Sequence, residues 1–190
     1  MERKKVLEMY DKYKDENEDY SNESKILYLK FLLSLNTNIY DIYLELMNIY
    51  FQEENFKEGS IIIEKAYKKI LNDEFNNVLP LTLNYQELYN RSIFRVFYNY
   101  ADILWILDKK NEALSLFKKL IEMHPNDNIG ARYAICGILE GYASSNHIWN
   151  EYNQNIDNWF RENIVKYTKK EEYVFLQEYV NVNAYEFFKS

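Results

Sequence analysis

One cysteine, two histidines, two prolines and four glycines are all that 190 residues contain, and each scarcity excludes a class of structure or chemistry. Cys136 has no second cysteine with which to form an internal disulfide. The first residues, Met1-Glu2-Arg3-Lys4-Lys5-Val6, lack the long apolar core of a signal peptide. Both features point to a reducing cytoplasm. So little glycine and proline cannot serve the many tight turns of a β-sandwich, nor a glycine-rich phosphate loop. His124, His147 and Cys136 stand at no metal-ligand spacing, and no nucleophile elbow is present, so neither cofactor nor metal is expected and the chain does not read as an enzyme. His124, beside Pro125 at a helix end, complements the helix dipole there, and Cys136 reads as a buried, inert thiol. Long apolar runs are missing too. Charges interrupt both Leu27-Tyr28-Leu29-Lys30-Phe31 and Tyr43-Leu44-Glu45-Leu46, well short of the ~18 uninterrupted residues of a membrane span. Positive charge is the last shortage: 23 basic residues face 30 acidic ones. The net field repels phosphate backbones and anionic lipid, which argues against nucleic acid and membranes as partners.

What is abundant is apolar and aromatic surface. The composition is 47% apolar, with 19 Tyr, 11 Phe and 3 Trp, enough for one continuous core in a single domain spanning residues 1–190. Apolar spacing is helical almost throughout. Val6, Met9, Tyr10 and Tyr13 make a first stripe that ends in the polar run 14–19. Asn22 or Ser24 can cap a second helix, about 23–35, whose apolar residues surround it and predict burial on more than one side.

From residue 39 the pattern repeats. Helix, short turn and returning helix occupy about 39–72, and the same arrangement recurs over about 93–125. Aligning the two sets Tyr43 opposite Phe97, Leu46 opposite Tyr100, Met47 opposite Ala101, Gly59 opposite Ala113, Ile63 opposite Phe117 and Leu71 opposite Pro125. The offset is about 54 residues, one repeat of about 34 plus an insertion covering about 74–92.

These positions resemble the tetratricopeptide repeat, whose large, small and aromatic residues alternate along two antiparallel helices. The later hairpin supplies Phe97, Tyr100-Ala101, Ala113, Phe117 and Pro125 at those places; the earlier one carries Met47 for the small residue and Leu71 for the proline. Met47 argues against a close approach of its two helices. The run Asn90-Arg91 through Pro125-Asn126-Asp127-Asn128-Ile129-Gly130-Ala131-Arg132-Tyr133 is similar to a bacterial tetratricopeptide-like group with no established activity. The resemblance implies an all-α fold, antiparallel hairpins stacked as a short right-handed solenoid, with extra N- and C-terminal helices. A helix at about 127–142 would begin a third unit, and helices within about 147–188, read as 147–167 and 171–188, would cap the solenoid.

In such a solenoid the first helices line a concave face, which is expected to bind a protein or peptide. Asp41, Leu44, Asn48, Phe51 and Gln52 would face it from one hairpin, and Arg95, Tyr98, Asn99, Asp102 and Trp105 from the next. Tyr98 and Trp105, large aromatics outside the packing positions, are candidate anchors unless a terminal helix covers them. Asn48 and Asn99 match two asparagines of a carboxylate clamp, but Leu44, Ile129 and Tyr133 stand at its basic positions, which disfavours a chaperone-tail adaptor. Arg91, Arg95 and Arg132 could form an anion pocket or a network tying helix ends together. The expected partner-binding set is Asn48, Phe51, Arg95, Tyr98, Asn99, Asp102, Trp105 and Arg132. An adaptor or regulator is the leading reading. An acidic inhibitor of the immunity type, neutralising a basic partner, is the alternative, and an enzyme with an unrecognised site is a third.

Overall fold

The computed structural model describes residues 1–180. Among them the chain forms helices, turns and irregular segments and no strand. They group into two compact units, residues 1–79 with 86–96 and residues 80–85 with those from Phe97 on, where the sequence suggested one domain.

The first unit contains α1 (Arg3–Glu16), α2 (Asn22–Leu35), α3 (Tyr40–Gln52) and α4 (Phe56–Phe75). Each packs on the next. Val6, Tyr10 and Tyr13 of α1 meet Leu29 and Leu32 of α2 and Ile42, Leu46 and Ile49 of α3 in one apolar core. Tyr13 stacks on Tyr10 and on Tyr28, with centroids 6.1 and 5.4 Å away. The α1–α2 pair shares a periodic capping pattern with the α3–α4 pair. Ser21 Oγ accepts the Ser24 amide at the start of α2, and 34 positions on, Asn55 Oδ1 accepts the Glu58 amide at the start of α4. Each satisfies one of the amides that a helix N-terminus leaves without an intrahelical partner. The second helix is less buried than its composition suggested. Leu29 and Leu32 are inside, whereas Leu27 and Phe31 are exposed, because α1 and α3 cover only one side of it.

The hairpin of α3 and α4 is tight despite Met47, which is buried. Glycine makes up the difference. A Cβ on Gly59 would stand 2.3 Å from the Phe51 ring and 3.4 Å from the Met47 carbonyl oxygen, so a side chain missing on α4 makes room for a large one on α3. At the other end α4 runs four residues past Leu71 to Phe75. Leucine where the repeat has proline does nothing to stop a helix, and the left-handed Asn76 (φ 50°) does so instead.

A fifth helix, α5 (Leu88–Ile106), begins five residues before the expected Ile93; its residues to Val96 belong with the first unit and those from Phe97 with the second. The second unit continues with α6 (Lys110–Met123), which stops ahead of Pro125, and α7 (Ala131–Glu140). The register read from the sequence is visible in the two hairpin turns. Glu54 and Asp108 are both left-handed, at φ 57° and 61°. Asn55 N donates to Tyr50 O and Lys109 N to Leu104 O, each at 2.8 Å. The same 54-residue offset therefore relates backbone hydrogen bonds as well as side chains. Residues 80–85, from the insertion, run beside the end of α6, where Leu83 N donates to Met123 O and Tyr85 stacks on His124.

The C-terminal segment departs from expectation. Residues 147–167 are not one helix but two, α8 (Ser145–Tyr152) and α9 (Ile156–Ile164), broken at Asn153 with φ 38°. Asn153 and Asn155 favour turns over helix and the triplet 153–155 has no apolar residue to bury, and the break lets Tyr152 stack on Trp159. A 3-10 turn (Glu171–Leu176) and α10 (Gln177–Val180) follow. The rest of the expected helix at 171–188 lies outside the described residues.

Candidate binding cleft

Three of the eight expected binding residues belong to the first unit. Asn48 is exposed, and Phe51 is half-buried against Phe56. Arg95 is exposed, its Nη1 3.2 Å from Asp41 Oδ1, while Asp41 Oδ2 accepts the Ser92 hydroxyl at 2.6 Å. Leu44, placed on the same face by the sequence, is buried among the core residues of α3.

Tyr98, Asn99, Asp102, Trp105 and Arg132 belong to the second unit, and here the expected anchors are corrected. Trp105 is 1% exposed. Its Nε1 donates to Tyr142 O at 2.9 Å, and its ring reaches the Gly137 position, where a Cβ would stand 2.8 Å from it. It is a core residue covered by the α7 and α8 segments, not a free anchor. Tyr98 lies half-buried with its ring edge on Phe117; burial pushes its hydroxyl pKa up, with Asp102 adding to the shift. Asn99 is half-buried. Asp102 is buried, and its Oδ1 accepts the amide of Ser145 at 3.0 Å, the first residue of α8. Burial raises its pKa, which the bonds to Ser145 oppose. A side chain expected to meet a partner is thus a cap for another helix.

The run Pro125 to Tyr133 now has a physical account. Asp127 is left-handed (φ 47°) and its side chain is wholly buried. Its Oδ1 accepts the Ala131 amide at 2.7 Å; Oδ2 accepts the Arg132 amide and Arg132 Nη1, both at 3.0 Å. Asp127 is therefore paired with Arg132 inside the fold and caps the start of α7 through two amides; burial raises its pKa, which the Arg132 charge and these amides oppose. Gly130 permits the turn with φ 80°, and a Cβ there would press on the Tyr133 ring at 3.1 Å. Arg132, with 13% of its side chain exposed, lies between Asp127 and Asp157 and over the Tyr133 and Tyr179 rings. Of the two sequence readings for Arg132, the tying network matches this geometry.

Beside that network opens a cleft of about 360 Å³, bounded by the loop before α7 and by the break between α8 and α9. Trp149 forms one wall, 43% exposed, with Tyr133 meeting it edge to face at 6.0 Å. Asp157 stands in the cleft with 34% of its side chain exposed. Its Oδ1 accepts the Tyr133 hydroxyl and lies 3.5 Å from Arg132 Nη2. Oδ2 takes no hydrogen bond among the described residues, nor does the Trp149 indole. Asn126, Asn153 and Gln154 bring carboxamides to the rim.

No family model, curated protein or solved structure matches this chain. Among the described residues no three His, Cys, Asp or Glu side chains gather as they would around a metal ion. Cys136 is fully buried and its thiol is pushed up to about 12 by burial, with Glu140 adding to the shift, so it stays protonated at neutral pH. No helix among the described residues is long and apolar enough to cross a membrane. Trp149 and Asp157 escaped the sequence reading because the segment holding them read as one continuous helix. The signal that could have found them was the polar triplet 153–155, which interrupts that helix directly between the two.

Proposed function

We propose that the chain is a protein-interaction module of tetratricopeptide-like build, without a catalytic role of its own, acting in the cytoplasm. The observation that carries this reading is the recurrence of one turn, left-handed at Glu54 and Asp108 with matching amide-to-carbonyl bonds at Asn55 and Lys109. The 34-residue spacing of the Ser21 and Asn55 caps supports it as well. Hairpins repeated at that spacing stack into a short right-handed solenoid whose successive helices present side chains to a partner chain. Asn48, Phe51 and Arg95 are accessible for that purpose, and Trp105 and Asp102 are not.

The more particular form of the reading is an inhibitor that neutralises a basic protein. It rests on the formal charge of −7, which accelerates encounter with a cationic partner and repels anionic ones. The test is capture on the immobilised full chain from native lysate, identification by mass spectrometry, and co-elution of the purified partner in size exclusion. One protein co-eluting at fixed stoichiometry, with binding weakened by added salt, is the expected result. A chain that retains no protein above a blank column, or that turns over a metabolite instead, overturns the reading.

A further inference from the structure

From the cleft beside α7 we infer a specific subsite, resting on the protein-binding reading above: it receives a basic side chain, arginine or lysine, of the partner between the Trp149 ring and the free oxygen of Asp157. Two carboxylates, Asp127 and Asp157, share one guanidinium, Arg132. Asp127 is spent inside, with both oxygens taken by the start of α7 and by Arg132. The surplus negative charge therefore belongs to Asp157, the only one of the three charged groups whose side chain is as much as 34% exposed.

An anion has no place there. Arg132 is largely covered and held by two carboxylates, and the Ala131 and Arg132 amides that a bare helix N-terminus would offer already bond to Asp127. A cation finds three matching features. Trp149 presents an indole that is 43% exposed, and tryptophan is the best of the aromatic surfaces for a cation. Asp157 Oδ2 offers an acceptor that no donor occupies among the described residues. The Asn126, Asn153 and Gln154 carboxamides can accept the remaining N–H groups. The wall is also preorganised: Tyr133 braces Trp149 by its ring and Asp157 by its hydroxyl, so neither must be reoriented on binding.

The test uses the full-length protein and short blocked peptides: acetyl-Gly-Arg-Gly amide, the same peptide with lysine, and the isosteric neutral peptide with citrulline. The readout is the Trp149 indole N–H cross-peak in a ¹⁵N spectrum, assigned by its disappearance in Trp149→Phe. The arginine and lysine peptides should shift this peak with a dissociation constant on the order of 1 mM, as suits one side chain, and citrulline should bind at least about tenfold more weakly. Asp157→Asn keeps an oxygen for the Tyr133 hydroxyl while removing the charge, and should lose the shift with its melting temperature little changed. Equal shifts from citrulline, or an undiminished arginine shift in Asp157→Asn, overturn the subsite. The two readings fail separately. A captured partner that binds Asp157→Asn and Trp149→Ala as tightly as wild type sinks the subsite and leaves the interaction module standing, whereas a chain that captures no protein but retains the arginine shift does the reverse.

Discussion

The two units put their polar side chains to different uses. Across α1 to α4, no charged, amide or hydroxyl-bearing aliphatic residue is buried, and the first unit's two buried polar residues, Asn90 and Ser92, both lie at the start of α5; Ser21 and Asn55 cap alike in successive hairpins. In the second unit Asp102, Asp127, Ser145 and Thr168 are buried, and two of them hold helix starts, Asp102 for α8 and Asp127 for α7. The difference follows from regularity. Helices that keep a repeat register find their neighbours through apolar spacing alone. Helices that leave it, as α8 and α9 do, are positioned by directional bonds whose partners tolerate little displacement. Stability should therefore depend on apolar contacts across α1 to α4 and on single polar atoms in the second unit.

The largest effects should come from breaking the ties of the second unit. Asp127→Ala leaves Arg132 without its closest carboxylate and two α7 amides without an acceptor, and should cost about 3–5 kcal/mol. Trp105→Ala should cost a similar ~3–5 kcal/mol, since it opens a cavity and strands the Tyr142 carbonyl. Each would lower the melting temperature by about 2–4 °C per kcal/mol in a chain of 190 residues. If Trp105→Ala melts like wild type, the tryptophan is not the core residue described.

A pH series on Asp102 tests the same contrast more finely. Its pKa is raised by burial from an ordinary value of 3.8. The stabilising contribution of such a group is complete below the unfolded value and is lost as pH rises through the folded one. Asp102→Asn should therefore gain on wild type in melting temperature as pH is raised from about 4 to 7, and a pH-independent difference would show that the carboxylate is not desolvated.

Polar substitutions in the first unit should matter less. Ser21→Ala and Asn55→Ala should each cost about 1 kcal/mol, and by similar amounts, because each loses one amide-to-side-chain bond at equivalent places. A cost near that of Asp127→Ala would erase the distinction between the units. Smallest of all is Arg95→Ala. The Arg95–Asp41 pair is exposed on both sides, so its loss should change stability by about 0–1 kcal/mol and the difference should fade in high salt.

Much of this fold is legible in the chain before any coordinates. Apolar spacing places the helices to within a few residues for α1 to α3 and α6, and Pro125 stops α6 because its ring cannot continue a helix. The 54-residue register between Glu54 and Asp108 is readable because equivalent turns demand similar flanking residues. Position 71 even carries its own warning, since leucine in the proline's place foretells a helix that runs on. The candidate site is legible only in part. Arg132 and the run leading to Tyr133 stand out by pattern, but the same pattern suits a binding pocket and an internal tie equally well.

What the sequence determined by itself is what nearest neighbours along the helix decide: period, turn, cap and stop. Only the tertiary structure decided which helix faces stay open. Trp105 is buried because the Tyr142 carbonyl arrives from 37 residues away, and Asp157 is exposed because the chain breaks at Asn153 and swings α9 toward the α7 loop. Both outcomes depend on contacts between distant segments, where burial and pairing depend on which surfaces meet, and helical periodicity carries no record of that meeting.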